Sequence, residues 1–499
     1  MKQVATLLLA FTLGSTVSAQ NGRDDFERAR QQMLQQYNQT TGQMRQDYDE
    51  QRQRAEAEYT AFRKKANEEY ASFLRKAWES MSVQPAEPQP KEPEPPKPQP
   101  KPVPDRLPQT KPLPKPDVVA KPEIVVAPPM PALPQAPPEI PTEQFSLYGT
   151  DCQIHVKTDA VAFKLSSVAE KSVAESWELL SRSEYDGLLH DCLEQRDALK
   201  LGDWGYLDLL KSVSERMLGQ GTNEAVLMQM YLFVQSGYKA RIGKQDGRLV
   251  LLVPFKHTIY SYSYVMIDGM QYYVLSKNRQ GGVEVCNVGF PKEQLASIVM
   301  SEQPKLKYTP AKKRTFESRQ FGTMNVEVAE NKNLIDFLNG YPLSSEWSGY
   351  ARAGLSKELK EAIYPTLREQ IAGKSQKKAA LMLLNFVQTA FDYATDQDQF
   401  GYERPLFGDE SFYYPKNDCE DRAILYSILV RDLIGLDVVL VLYPGHLGTA
   451  VHFTDNVEGS YYDVDGKHYV VCDPTYIGAG VGEVMPQFEN TKVTIVKID

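Results

Sequence analysis

A cysteine, a histidine and an aspartate follow one another late in the chain, each next to an element of a different kind. Cys419 opens an apolar run of helical periodicity, His446 follows an apolar strand and a turn, and Asp473 ends a later strand. A helix N-terminus favours the thiolate, which is the attacking form of cysteine. A histidine can take up the thiol proton and return it to a leaving amine, and an aspartate can fix the histidine tautomer. This order predicts a nucleophilic triad that acts on amide bonds.

The residues around these three extend the pattern. They are the run Asp418-Cys419-Glu420-Asp421 with Ala423, Leu425 and Gly435, the segment 446–453, and the motif Asp473-Pro474-Thr475. Together they resemble the core of the transglutaminase-like superfamily, a papain-like fold, over residues 375–487. The resemblance implies a catalytic triad of Cys419, His446 and Asp473, with the cysteine helix packed on an antiparallel sheet. It also implies peptide cleavage, amide hydrolysis or crosslinking of Gln to Lys as the activity.

The chain departs from the family pattern at the histidine. The family carries an aromatic residue two positions after the histidine, and Gly448 stands there in this chain. His452 is therefore an alternative to His446, because an even separation puts both side chains on one strand face. Cys472 should point away from the face that Asp473 uses, and we expect it to be a core residue.

Charged and aromatic residues flank the predicted nucleophile. Asp418, Glu420 and Asp421 would raise the pKa of the Cys419 thiol, so the thiolate needs a cationic partner. The backbone N–H of the cysteine is the natural donor to an oxyanion, and the sequence names no second donor. The preceding aromatic pair either lines a substrate groove or packs in the core; it consists of Tyr413 and Tyr414.

The hydrophobic patterning predicts an α+β fold. Helices are predicted over 174–183, 206–218, 223–235, 376–393 and 419–434, and strands over 248–254, 262–267, 272–275, 438–442, 449–453 and 469–472. Helices followed by strands in both halves divide the globular part into two predicted domains, 145–300 and 301–499.

The first of these domains echoes the second. Ala225, Leu227 and Gly237 repeat the spacing of Ala423, Leu425 and Gly435. In that register Gly221 takes the place of the nucleophile and Lys277 falls near that of the aspartate, so no triad can form. We expect residues 145–300 to be a degenerate copy of the transglutaminase-like domain.

The N-terminal part is not globular by composition. Residues 1–19 read as a cleaved signal peptide without a cysteine for a lipid anchor. Residues 20–82 repeat an aromatic every eleven positions, from Phe26 to Tyr70, which predicts one long helix over about 24–81 with an apolar stripe. Such a helix cannot bury its own stripe, so self-association as a coiled coil is expected, with a solvated single helix as the alternative. Residues 83–144 are rich in proline and predict an extended spacer.

Composition excludes other classes. The net charge of -9 disfavours nucleic acid as a partner, and no run after the signal peptide is apolar enough to span a membrane. Five cysteines are too few for a disulfide-built scaffold, although Cys152 and Cys192 could be bridged. No ligand spacing indicates a metal or another cofactor.

The sequence thus predicts a secreted or periplasmic cysteine hydrolase or acyltransferase, with a peptide or cell-wall amide as substrate and hydrolysis favoured over crosslinking. The alternative is a noncatalytic binding or assembly protein that uses the transglutaminase-like fold as an interaction module.

Overall fold

A computed structural model describes residues 21–87, 110–119, 127–129, 141–156, 163–183, 185–275 and 281–498. The predicted signal peptide lies outside these residues. Contacts between residues divide the chain into two units, Met1–Arg63 and Lys64–Asp499, and the second contains both predicted globular domains. The fold is mixed α+β with curled, mainly antiparallel sheets. Within the described residues, none of the helices combines the length and the apolar character of a bilayer span.

Helix α1, Asn21–Leu74, is the predicted long helix. In the first unit several apolar residues of its repeat are exposed, among them Met33, Tyr37, Met44 and Tyr48. In the second unit Ala66, Tyr70 and Leu74 are buried, and the Tyr70 ring lies 4.6 Å from that of Trp177. The last part of the stripe is therefore covered by the protein's own core.

The prediction that the helix continues to residue 81 is wrong. Residues 79–81 form strand β1, Glu79–Met81, which pairs antiparallel with a later strand, Val283–Val285. Pro85 restricts only Gln84 to extended geometry, so the strand at 79–81 is explained by its partner, which offers hydrogen bonds to the backbone of these residues.

Among its described residues, the first half of the globular unit has four helices after α1. They are α2 Glu170–Arg182, α3 Asp186–Leu199, α4 Gly202–Leu218 and α5 Asn223–Gln235. The strands of this half are the hairpin β4 Thr142–Leu147 and β5 Thr150–His155, followed by β6 Arg241–Gln245, β7 Arg248–Val253, β8 Tyr264–Ile267, β9 Met270–Val274 and β10 Val283–Val285.

The second half begins with the hairpin β11 Arg314–Glu317 and β12 Asn325–Val328. Its helices are α6 Lys332–Asn339, α7 Trp347–Ala353, α8 Lys357–Ile371, α9 Gln376–Ala390, α10 Asp396–Gln399, α11 Gly408–Tyr413 and α12 Cys419–Ile434. Its strands are β13 Asp392–Tyr393, β14 Lys416–Asn417, β15 Asp437–Tyr443, β16 His446–His452, β17 Ser460–Val464, β18 Lys467–Val471 and β19 Thr494–Lys497.

Two short strands of the seven-stranded sheet come from the segment predicted to be a spacer. They are β2, Lys111–Pro112, and β3, Asp117–Val119. The strand order of the seven-stranded sheet is β2-β17-β18-β16-β15-β19-β3, so they occupy its two edges. Leu113 between them is buried, and its N–H donates to the carbonyl of Tyr461 at 2.9 Å. The extended spacer predicted over 83–144 is corrected for residues 111–119, which pair with the sheet because edge positions tolerate proline and Leu113 supplies apolar area.

The two large sheets share a strand order. The first reads β10-β6-β7-β9-β8 beyond its edge strand β1, and the second reads β19-β15-β16-β18-β17 between its two edge strands. If the five strands of each set are numbered along the chain, both sheets have the order 5-1-2-4-3. All neighbouring strands within each set are antiparallel. A helix precedes each set, α5 in the first and α12 in the second. This shared order agrees with what the degenerate-copy hypothesis requires. Gly221 lies just before α5, and Lys277 falls outside the described residues.

Helix α12 packs on strands β15 and β16. Its predicted bounds are confirmed, as are those of α5. Gly435 ends α12 with a φ of 77°, the left-handed conformation that glycine adopts without strain. The seven-stranded sheet also buries an apolar cluster that includes Val441, Tyr443, Tyr462 and Phe488 together with Leu113.

Candidate functional site

Cys419 is the first residue of α12, with Asp418 as the N-cap. The Asp421 carboxylate accepts from the N–H of Asp418 at 3.2 Å, which fixes this helix start. The thiol is fully buried and donates to Oε2 of Glu420 at 3.2 Å. The predicted nucleophile therefore sits at a helix N-terminus, where the partial positive charge of the helix stabilises negative charge.

His446 and Asp473 form a buried pair. Nε2 of His446 lies 2.7 Å from Oδ2 of Asp473, and both side chains are almost completely buried. The other carboxylate oxygen, Oδ1, accepts from the N–H of Thr475 at 2.9 Å. Nδ1 of His446 is buried without a hydrogen-bond partner. The carboxylate thus orients the ring through one nitrogen, and the other nitrogen makes no hydrogen bond.

Aromatic rings fix the plane of this imidazole. The Tyr443 ring is stacked on it at 5.5 Å, and the Phe488 ring is stacked at 5.5 Å with an interplanar angle of 4°. A Cβ on Gly448 would lie 3.3 Å from the Tyr443 ring and 3.4 Å from Oδ2 of Asp473. The space of the family's aromatic residue is therefore taken by the ring of Tyr443 and by the aspartate.

The alternative histidine lies elsewhere. His452 ends β16, and its Nδ1 lies 3.1 Å from the carbonyl of His468. The structure thus joins two of the three predicted residues, His446 and Asp473, by a hydrogen bond, and it places the third at the head of the helix packed against β16. Cys472 is fully buried, as expected of a core residue, and no disulfide joins any of the five cysteines, so the bridge considered for Cys152 and Cys192 is absent.

A glutamine that the sequence analysis did not single out fixes the aspartate loop. Nε2 of Gln388, on α9, donates to three backbone carbonyls: Asp473 at 3.1 Å, Tyr476 at 2.9 Å and Ala479 at 3.1 Å. The side chain is 2% exposed. No sequence signal marks this residue, because its partners are main-chain groups more than 80 positions away.

The same helix is linked to the cysteine helix by Arg422. Its guanidinium donates to Oδ1 of Asn417 at 2.9 Å, to the carbonyl of Phe391 at 3.0 Å and to that of Gln388 at 3.4 Å. Burial lowers the pKa of Arg422 to about 10, and the ionised forms of Tyr393, Asp418, Asp421 and Cys419 would oppose that shift. At neutral pH this is a buried cation within electrostatic reach of the thiol, the kind of partner that the sequence predicts.

Tyr393 is a second residue that the sequence analysis missed. It pairs with Asn417 in the short parallel ladder of β13 and β14, and Asn417 is two residues before Cys419 in the chain. Its hydroxyl is buried without a hydrogen-bond partner, and the guanidinium of Arg422 lies 5.3 Å from its ring centre. Burial raises the pKa of Tyr393 most, and the charge of Cys419 is the next cause. An unpaired O–H donor therefore lies near the nucleophile.

Buried carboxylates crowd the head of α12. Burial raises the pKa of Asp396 to about 10, with the charges of Asp418 and Asp421 as further causes. The pKa values of Asp418 and Asp421 are also raised well above their usual range, mainly by burial. Two overlapping groups could hold a cation: Asp396 with Glu403 and Glu420, and Asp396 with Asp418 and Asp421. An all-oxygen set suits a hard cation such as Ca²⁺ or Mg²⁺. Sequence spacing does not predict this group of carboxylates, because its members come from three separate segments of the chain.

The aromatic pair before the cysteine has both packing and surface contacts. The hydroxyl of Tyr414 donates to Oδ1 of Asn339 at 2.5 Å, and the Arg404 guanidinium lies 4.8 Å from its ring. Tyr413 and Tyr414 also line part of a cavity of about 370 Å³. The two sequence alternatives, groove and packing, therefore both stay open for this pair.

Comparisons of the chain with protein-family models, with curated proteins and with solved structures found no match. The resemblance to the transglutaminase-like superfamily accordingly stays a prediction carried by the residues themselves.

Proposed function

We propose that this chain is a thiol enzyme of the transglutaminase-like class that cleaves or transfers acyl groups at peptide or amide bonds. The observation that carries the proposal is the buried His446–Asp473 pair, in which one imidazole nitrogen is bound and the other has no partner. An imidazole oriented in this way is what a cysteine nucleophile requires of its base.

The reaction begins with proton transfer. The Cys419 thiol exchanges its hydrogen bond with Glu420 for one with Nδ1 of His446, which takes the proton. The helix N-terminus and the Arg422 cation stabilise the thiolate, and the Asp473 carboxylate stabilises the imidazolium. The electrostatic surroundings therefore offset the carboxylates that oppose thiolate formation.

Bond making and breaking follow. The sulfur attacks the substrate carbonyl, and the oxyanion is bound by the backbone N–H of Cys419 and by the Tyr393 hydroxyl as the second donor. His446 then donates its proton to the leaving amine, which leaves a thioester on Cys419. Water releases an acid and regenerates the thiol, whereas an amine gives a new amide.

Rapid alkylation of Cys419 by iodoacetamide tests the proposal. Peptide mass spectrometry can follow Cys419 and Cys472 in one sample, and Cys472 is the internal control because it too is fully buried and burial raises its pKa to about 12. We expect Cys419 to react much faster and to slow down in His446→Ala but not in His452→Ala. Equal, slow alkylation of both thiols would contradict the proposal.

A second candidate is the noncatalytic binding module. Complete burial of both Cys419 and His446 is the observation in its favour. Incubation with peptide and peptidoglycan fragments, with and without an added primary amine, separates hydrolysis from acyl transfer by product mass. An unchanged substrate mixture together with slow alkylation would support the binding module.

The remaining parts of the chain complete the proposal. We propose export to the periplasm or the cell exterior, on the signal-like residues 1–19, and self-association through the exposed repeat of α1. We also propose that residues 145–300 are a degenerate copy of the catalytic domain, supported by the strand order that the two sheets share.

A further inference from the structure

Helix α3, outside the candidate catalytic site, carries a histidine and two carboxylates close together. One ligand atom each of His190, Asp191 and Glu194 lies within 4.8 Å of the other two. Glu194 lies four residues after His190 and three after Asp191, so the helix brings its side chain next to each of them. His190 and Asp191 are 9% and 8% exposed, whereas the Glu194 side chain is 57% exposed. The group is thus anchored in the protein and open to solvent on one side.

The distances suit an ion better than a direct contact. Nε2 of His190 lies 3.7 Å from Oε1 of Glu194, which is longer than a hydrogen bond. Two ligands of a tetrahedral Zn²⁺ with bonds of about 2.1 Å are roughly 3.4 Å apart. A small rotation of the exposed Glu194 side chain is therefore enough to bring the carboxylate to a shared ion.

A second histidine orients the middle ligand. His155, the last residue of β5, directs its backbone N–H and its ring Nδ1 to the same carboxylate oxygen, Oδ2 of Asp191, at 2.5 and 2.9 Å. The other oxygen, Oδ1, is then the one that can ligate. Hydrogen-bonded outer partners of this kind hold the ligands of protein metal sites in place.

We propose that His190, Asp191 and Glu194 bind a divalent transition-metal ion, with Zn²⁺ as the best match to one imidazole and two carboxylates. Through His155 the ion ties the hairpin of β4 and β5 to α3. A two-stranded hairpin is marginally stable alone, and the hairpin's cysteine, Cys152, is a free thiol. The metal therefore supplies a structural link, and this inference does not depend on the proposed enzymatic activity.

Metal content after loading with Zn²⁺ and dialysis tests the site in the full chain. We expect each of three variants, Asp191→Asn, His190→Gln and Glu194→Gln, to retain one equivalent of Zn²⁺ less than the unmodified protein. In Glu194→Gln the replaced side chain is exposed, so the helix should stay folded. His468→Gln is the matched control, because Nε2 of His468 lies 3.6 Å from Asp463 in a comparable but exposed pair. At free Zn²⁺ of about 100 times the dissociation constant, the unfolding equilibrium constant should fall about 100-fold in the unmodified protein and not in Glu194→Gln.

Two results would overturn the inference. Equal Zn²⁺ content in the unmodified protein and all three α3 variants would show that no ion binds there. With Co²⁺ as probe, a thiolate-to-metal absorption band that disappears in Cys419→Ala, with no Co²⁺ left, would place the metal at the candidate nucleophile instead.

Discussion

Gln388→Leu should destabilise the protein and disable the candidate site, because this one side chain links α9 to the loop that carries Asp473. Its amide group has two hydrogens directed at three backbone carbonyls, of which that of Tyr476 is partly buried and the other two are buried, and the loop N–H of Gly478 lies 3.4 Å from its Oε1. Leucine has a similar size, so the change removes the polar contacts and little packing volume. The loss of about two good hydrogen bonds, with their carbonyls left buried, should cost about 2–4 kcal/mol of unfolding free energy.

Urea unfolding followed by circular dichroism measures this loss. Gln376→Leu is the matched control on the same helix, since the side chain of Gln376 also makes hydrogen bonds, to Thr454 and Asp455, but at exposed positions. Water replaces those contacts, and the control should lose less than about 1 kcal/mol.

The same variant reports on the site. If Gln388 positions the Asp473 loop, alkylation of Cys419 should slow in Gln388→Leu under conditions where the variant is folded, and it should not slow in Gln376→Leu. Equal unfolding free energies for the two variants would refute the assignment of Gln388 as the link, and so would unchanged alkylation in a destabilised but folded Gln388→Leu.

Three further variants test the electrostatics and the edges of the sheet. Asp473→Asn should lower amide hydrolysis by about 10⁴-fold at unchanged fold, because the imidazole loses its orienting charge, whereas the exposed Asp463→Asn should have no effect in the same assay. Asp396 keeps its proton in the folded protein from its ordinary pKa of 3.8 up to about 10, so unfolding releases a proton in this window and stability falls as pH rises. The stability of Asp396→Asn relative to the unmodified protein should therefore increase with pH, by up to about 1.4 kcal/mol of unfolding free energy per pH unit in urea titrations between pH 5 and 9. A difference that stays constant across that range would contradict the buried-acid argument. Leu113→Ala should cost about 2–4 kcal/mol of unfolding free energy because it leaves a cavity in the core beneath the seven-stranded sheet. Val118→Ala is the control and should cost less than about 1 kcal/mol, because Val118 is 40% exposed. Similar thermal melts of the two variants would mean that residues 111–119 do not dock on the sheet.

The sequence by itself determined the elements whose signals are local. The bounds of α5 and α12 follow from apolar periodicity, and the end of α12 follows from a glycine that can adopt a positive φ. The placement of Cys419 at a helix start follows from the apolar periodicity that begins there, and the structure adds that Asp418 and Asp421 cap the helix. The α+β class follows from the order of helices and strands, because each pattern is set by residues within one or two turns of one another.

Only the tertiary structure decided the contacts between distant segments. The choice of His446 over His452 as the partner of Asp473 depends on the register of β16 against β18, which two histidines on one strand do not reveal. The docking of β2 and β3, the turn of residues 79–81 into a strand, the Gln388 link and the buried carboxylate group all depend on backbone or side-chain partners remote in the chain. The hydrophobic pattern of a helix or strand predicts which of its faces is buried. Which other element packs on that face depends on the free energy of the whole core, and therefore on residues far away in the chain.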